Sequence, residues 1–427
     1  MNSLALILLS KHLLWSRADG HGGTISYYYY DAITWVVAAV ALLWVICFLA
    51  LRYQRQRKLR RPARNRNIKS IRKIIKLKRE LTSRYLRPGF SVNIQAVGIG
   101  LTEIGELCIQ ILVNNANDEL WPGAGRDALP SSYRGVPLTL IEMPVAALLS
   151  SAPAQVRDAN PHSQGIRNQQ EIIVGGISGA NSNLTGQSGT IGYFCRRRRR
   201  LRKSNDVFLL SNSHVFADLR RTKIDQSDLI MQPSPGEPGS NRPIGSLVNF
   251  SPMIMTGDID QPNHIDAALA QLWPQQTHGP VIPLIGEVKG FAKKEHVQVG
   301  ERVRKFGRTS GYTEGKIFSI CLDIRIRYDR TGQIAFFRDQ LLIEPLAPDF
   351  QKFVGKGDSG SLLVDEAQYA VGLIFAGATE EVKSEDAVNN SSSSSTDVKA
   401  KRIEAYGVAN PISEVLDRMK VELLTAG

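Results

Sequence analysis

Cysteine is scarce in this 427-residue sequence, and Cys47, Cys108, Cys195 and Cys321 stand far apart. With no short spacing between any two, they exclude a zinc site built on paired cysteines and the disulfide framework of a small secreted domain. They read as free, buried thiols, which suit a reducing compartment. Acidic residues are missing from one whole segment: Arg52 to Arg79 holds about fourteen lysines and arginines and no aspartate or glutamate. The net charge of +13 therefore belongs to that stretch, and the rest of the chain is close to neutral. A second basic run, Arg196 to Lys203, lies between two β-like runs and forms a hairpin tip, either solvated or touching anionic lipid or nucleic acid. No aromatics are interleaved with it, so nucleic-acid recognition gains no support. No internal repeat is present.

Ile33 to Leu51 is an uncharged apolar run of the length that crosses a bilayer as a helix. Tyr27 to Tyr30 before it and Tyr53 after it suit the two lipid–water interfaces. The expectation is a transmembrane helix at 33–51 behind an N-terminal tail, 1–32, with a basic juxtamembrane segment at 52–86. Positive charge after the span places the remainder on the cytoplasmic side. An earlier run, Leu4 to Leu9, is too short to span, and no small-residue cleavage site follows it. Ile68, Ile71, Ile74, Ile75 and Leu81 recur near helical spacing among the basic residues. They predict a helix lying against anionic headgroups over 52–79, the alternative being a solvated spacer.

Residues 87–150 read as a small α/β module, with strands at Phe90–Ile99, Leu107–Val113 and Val136–Glu142. A polar linker, 151–170, separates it from 171–427. There, short β-runs alternate with Gly, Pro and Asn turns: Gly189–Cys195, Val207–Ser211, Ile244–Phe250, Ala267–Leu272, Val303–Phe306, Lys316–Cys321, Gln340–Ile343, Ser361–Val364 and Ala370–Phe375. So many short strands predict a mainly β sandwich or barrel. The serine-rich stretch 379–402 reads as a disordered loop, and Pro411 to Leu424 has helical periodicity.

Three local sequences carry chemistry together: LLSNSHVFAD around His214, HIDAALAQL around Asp266, and GKGDSGSLLVD around Ser359. A serine hydroxyl is a weak nucleophile until an adjacent base takes its proton. Histidine suits that task because its pKa lies near working pH, and a carboxylate behind it fixes the tautomer. Gly357 allows close backbone approach, so its N–H and that of Ser359 can meet a developing oxyanion. Asp258 and Asp260 are rivals to Asp266, and His264 reads as structural. No metal or cofactor is required by this chemistry.

GDSGS, SNSHVFA and the order His, Asp, Ser resemble the chymotrypsin-like (trypsin-fold) serine peptidases. GISGANSNLTGQSGTIG, KFGRTSGYTEGKI and GVANPISEVLDRMKVEL resemble more narrowly their bacterial and plant narrow-leaf-type branch, as do NIQAVGIG and RGVPLTLIE ahead of them. The resemblance covers roughly residues 90–424. It implies two packed six-stranded barrels, His214 and Asp266 in the first and Ser359 in the second, acting on a protein or peptide substrate. It assigns the oxyanion hole to Gly357 and Ser359, and the substrate pocket to Phe353, Phe375, Ala376 and Gly377. With no carboxylate at the pocket base near Phe353, it implies an uncharged residue there. No cysteine directly follows His214 to brace its loop, and no N-terminal activation sequence supplying Asp358 with a partner is apparent. The expectation is a membrane-held serine endopeptidase, the alternative a catalytically silent scaffold of the same fold that binds a partner.

Overall fold

The computed structural model describes residues 16–18, 24–26, 30–59, 68–121, 129–149, 167–198, 205–221, 223–239, 242–328, 332–346, 349–350, 352–378, 401–403 and 405–425. It divides into two compact units, Met1–Leu59 and Arg60–Gly427. In the first unit, Ser16–Ala18 pairs antiparallel with Thr24–Ser26, and a 30-residue helix, α1, runs Tyr30–Leu59. The side chains described in α1, at 36–51, are exposed and mostly apolar, Trp44 and Leu51 among them. Among the described residues no helix is long and apolar enough to cross a membrane. The expected span at 33–51 therefore gains no support from the described side chains of α1. The side chains of 33–35, of the flanking tyrosines and of basic 52–67 lie outside the described residues, as does Leu4–Leu9. Cys47 is exposed, so the buried reading fails for that thiol.

The second unit opens with α2, Ile68–Tyr85. Its strands are β1 (Ile94–Leu101), β2 (Leu107–Val113), β3 (Val136–Glu142), β4 (Ala147–Leu148), β5 (Ala180–Asn181), β6 (Tyr193–Arg197) and β7 (Phe208–Ser211), then one turn of helix, α3 (Ser213–Phe216). There follow β8 (Leu229–Met231), β9 (Pro243–Phe250), β10 (Ala268–Leu272), β11 (Arg302–Gly307), β12 (Gly311–Tyr328), β13 (Gln333–Pro345), β14 (Leu362–Asp365) and β15 (Tyr369–Ala378). The last elements are β16 (Lys401–Arg402), β17 (Tyr406–Pro411), α4 (Ile412–Arg418) and β18 (Val421–Leu423). The architecture is mainly β, as the turn-punctuated sequence predicts.

One seven-stranded sheet runs β18-β6-β7-β10-β9-β8-β5. A second runs β11-β14-β15-β17-β13-β12, and because β11 also pairs with β12 these six strands close into a barrel. Closure leaves those strands without a bare edge, which removes the usual aggregation hazard. β1, β2, β3 and β16 extend this same sheet outward from β12. The residues expected to form a separate module, 87–150, are thus hydrogen-bonded into the barrel's own sheet. The expected linker lies largely outside the described residues, as does 379–400.

For the described part of the expected headgroup helix, 68–79 in α2, the structure gives the apolar stripe another place. Ile74, Leu77, Leu81 and Tyr85 are buried in one cluster with Ile94, Val97, Ile109 and Ile320, and Ile71 and Ile75 pack against it. The apolar stripe is therefore spent on the sheet. Lys78, on the same face, is fully buried and meets Asp323 on β12 at 2.8 Å, while Thr82 donates to the other oxygen of Asp323 at 2.8 Å. Beyond β6, the basic run starts by meeting acids of the C-terminal elements: Arg196 pairs with Glu422 at 2.7 Å and Arg198 with Asp417 at 2.6 Å. Its tip, 199–204, lies outside the described residues.

Candidate active site

β7 ends at Ser211, and the chain turns through Asn212 into α3, whose four residues are all buried. Ser213 holds the turn by donating its hydroxyl to the carbonyls of Ser251 and Ala267, at 2.9 and 2.8 Å. This presents His214, only 3% exposed, to Asp266 at the entry of β10. The Asp266 carboxylate is fully buried. One oxygen accepts the backbone N–H of Ser213 at 2.6 Å and of His214 at 3.3 Å; the other faces His214 Nδ1 at 2.5 Å. With a carboxylate there, Nδ1 carries the proton and Nε2 is left as the basic nitrogen. Nε2 is buried with no hydrogen-bond partner among the described residues. Asp258 and Asp260 are not the partners of His214; Asp258 instead accepts the N–H of Asp260 at 2.9 Å. His264 contributes a backbone carbonyl, which accepts from Gln340.

Ser359 lies on the turn before β14, between two glycines with left-handed backbone, Gly357 at φ 106° and Gly360 at φ 96°. A Cβ on Gly357 would meet Thr309 Oγ1 at 2.5 Å, and one on Gly360 would meet the Thr190 carbonyl at 2.1 Å. Glycine is required at both places by contact as well as by φ. The turn is bound to the first sheet by Thr190: its N–H donates to the Ser359 carbonyl at 2.8 Å and its hydroxyl to the Gly357 carbonyl at 2.9 Å. The Ser359 hydroxyl donates to the carbonyl of Phe375, on β15, at 3.1 Å.

Sequence reasoning missed two residues. Asn410, on β17, accepts the N–H of Asp266 at 3.0 Å and donates to the carbonyls of Asp266 and Leu373, at 3.2 and 3.3 Å. It ties the acid to the strand on which Ser359 hangs. Lys305, on β11, meets Asp358 at 2.7 Å with both side chains fully buried. It is the cationic partner for Asp358 that the sequence reading left open. Burial alone pushes the Asp358 carboxyl up, but the charge and hydrogen bond of Lys305, with the Ser310 hydroxyl and the Gly355 N–H, outweigh it and hold the group below its usual range. Both residues sit in segments that carried the family resemblance, which was the available signal.

Phe353, Phe375, Ala376 and Gly377 are all buried. Phe353 and Val354 share a cluster with Leu149, and Phe375 shares another with Leu148 and lies 4.7 Å from Phe337, ring centre to ring centre. A cleft of about 600 Å³ opens beside His214, lined also by Leu148, Leu184, Asp218, Met255 and Tyr328. Among the described residues no cluster of His, Cys, Asp and Glu is placed to hold a metal ion.

A family model for the Nal1 C-terminal domain matches residues 276–424. No curated protein matches the chain. Among solved structures, the chain is similar to Thermobifida fusca protease A, at 16% identity over 60% of this chain and 100% of that one, with a TM-score of 0.36. It is similar to a Cellulomonas bogoriensis chymotrypsin at 15% identity over 60% and 99%, TM-score 0.32. A glutamic acid-specific serine protease follows at 12% identity over 59% and 100%, TM-score 0.37. At such scores these likenesses add nothing to the sheet topology and site geometry above.

Proposed function

We propose that the chain is a serine endopeptidase of the chymotrypsin-like kind, close to the narrow-leaf-type branch, which cuts peptide bonds through an acyl-enzyme on Ser359. The carrying observation is the buried His214–Asp266 pair, whose free nitrogen Nε2 has no other partner among the described residues. In this reading Ser359 Oγ turns from the Phe375 carbonyl to Nε2 and gives up its proton as it adds to the substrate carbonyl. The Gly357 and Ser359 N–H groups receive the oxyanion, and His214 returns the proton to the departing amine. Water, activated by the same nitrogen, then frees the acid product. Imidazole base catalysis contributes typically ~10²–10⁴-fold, and each oxyanion donor about 10²–10³-fold.

The second reading, a silent scaffold, draws on the Ser359 hydroxyl being engaged with Phe375. Fluorophosphonate labelling separates the two. A peptidase is labelled at Ser359, not in Ser359→Ala, and at least about 10²-fold more slowly in His214→Ala. A scaffold shows no Ser359-dependent label.

A further inference from the structure

The chain places one of its own segments where a peptide substrate would lie. β4 pairs antiparallel with β15, Leu148 opposite Ala376 and Ala147 opposite Gly377. One residue on, the carbonyl of Leu149 accepts the N–H of Gly357, the donor assigned to the oxyanion hole. The Leu149 side chain is 1% exposed and belongs to the buried cluster that holds Phe353, a pocket residue, and its neighbour Val354. Leu148 points the other way, into the cluster with Phe375 and along the cleft that His214 lines. Three features of a bound acyl-side peptide thus coincide: an added antiparallel strand, a carbonyl on the oxyanion donor, and a side chain buried with a pocket residue.

The segment is held from its other edge as well. The N–H of Arg327 donates to the Ala146 carbonyl at 3.0 Å, and the Tyr406 hydroxyl donates to the Pro144 carbonyl at 2.5 Å. These contacts fix the strand by backbone, so its side chains are left to match the pocket. The buried cation nearest Phe353, Lys305 at 5.9 Å from its ring centre, is already paired with Asp358 at 2.7 Å.

We propose that Ala146–Leu149 is a tethered occupant of the acyl-side subsites, and that it copies the preferred substrate: an extended peptide with leucine, or an aliphatic residue like it, before the cut bond. This rests on the serine-peptidase reading. A tethered segment acts at an effective concentration of order millimolar, so a free peptide must displace it before it is cut. The tether raises KM and leaves kcat nearly unchanged.

The test uses the full chain, acetyl-Ala-Leu-Leu-aminomethylcoumarin, its Arg and Glu counterparts at the last residue, and a fluorophosphonate. Two variants loosen the segment differently: Leu149→Glu removes the pocket side chain, and Ala147→Pro removes the strand N–H. Thermal melts show which variants fold. We expect either folded variant to lower KM for the leucine peptide about tenfold or more, to quicken Ser359 labelling in step, and to keep leucine favoured over arginine and glutamate. A cut after Leu149 in the wild type, absent from Ser359→Ala, supports the same placement. In that step Ser359 Oγ adds to the Leu149 carbonyl carbon, its proton passes through His214 to the leaving amine, and water then yields the Leu149 carboxylate. Equal KM and equal labelling in wild type and folded variants overturn the tethered occupant, as does a preference for arginine or glutamate. Absence of Ser359 labelling from wild type and both variants defeats the peptidase reading itself.

Discussion

At the level of single residues, the His214–Asp266 pair depends on local groups and on distant ones. The local groups, in SNSHVFA and HIDAAL, were legible because the chemistry needs those types at a turn and at a strand entry. Asn410 was not, since it meets Asp266 across 144 positions of sequence. Asn410→Ala should slow labelling of Ser359 while preserving the fold, read as a fall in rate at unchanged melting temperature; a melting temperature that drops with no change in rate would show a purely structural asparagine. Lys305 and Asp358 form the second dependence. Lys305→Met leaves a buried carboxylate alone, which costs about 3–5 kcal/mol, and Gly357–Ser359 should lose order with it. The pH dependence has a definite sign. Because the folded Asp358 carboxyl titrates below its unfolded value, its stabilisation is complete above about pH 4 and is lost as pH falls through the lower folded value. Melting temperature measured from pH 7 downward should hold and then fall in acid, and Asp358→Asn should flatten that limb.

Elements were legible where one face meets one environment. β2 and β3 fall where alternation and β-branched runs put them. β12 and β13 did not, because the sequence shows fragments where the chain makes strands of 18 and 13 residues. Register shifts interrupt their pairing, and Cys321 and Asp339 sit at φ 50° and 61° within them. Each irregularity slips the two-residue period, so alternation breaks off and only the fragments Lys316–Cys321 and Gln340–Ile343 stand out in the sequence. α2 shows a different ambiguity: an apolar stripe among lysines describes a helix on lipid and a helix on a sheet equally well. The buried Lys78–Asp323 pair and Leu81 decide it for the sheet. Leu81→Ala should cost about 2–5 kcal/mol, and Asp323→Ala about 3–5 kcal/mol by stranding the ammonium. Denaturant midpoints would check both; a change within about 0.5 kcal/mol, ordinary for surface sites, would mean that α2 does not pack as described.

At the scale of the whole second unit, the chain crosses between its sheets more than a two-barrel reading of the sequence suggested. Segments before residue 150 extend the barrel sheet formed after residue 300, and β18, after the barrel, forms the outer strand of the sheet that bears His214. Such pairings are long-range, and no local pattern announces them. The closed barrel was expected through resemblance; the cross-ties were not. Cutting the chain before Val421 should expose the edge of β6, and the truncated protein should aggregate and lose Ser359 labelling. A monodisperse, fully labelled truncation would refute that role for the strand.

That outer strand also sets a timetable. Until the ribosome has passed residue 423, the layer that cradles the imidazole has one flank missing. The layer behind the His214–Asp266 pair therefore waits on a strand made after the barrel, and a chain stopped before that strand leaves β6 with a bare flank.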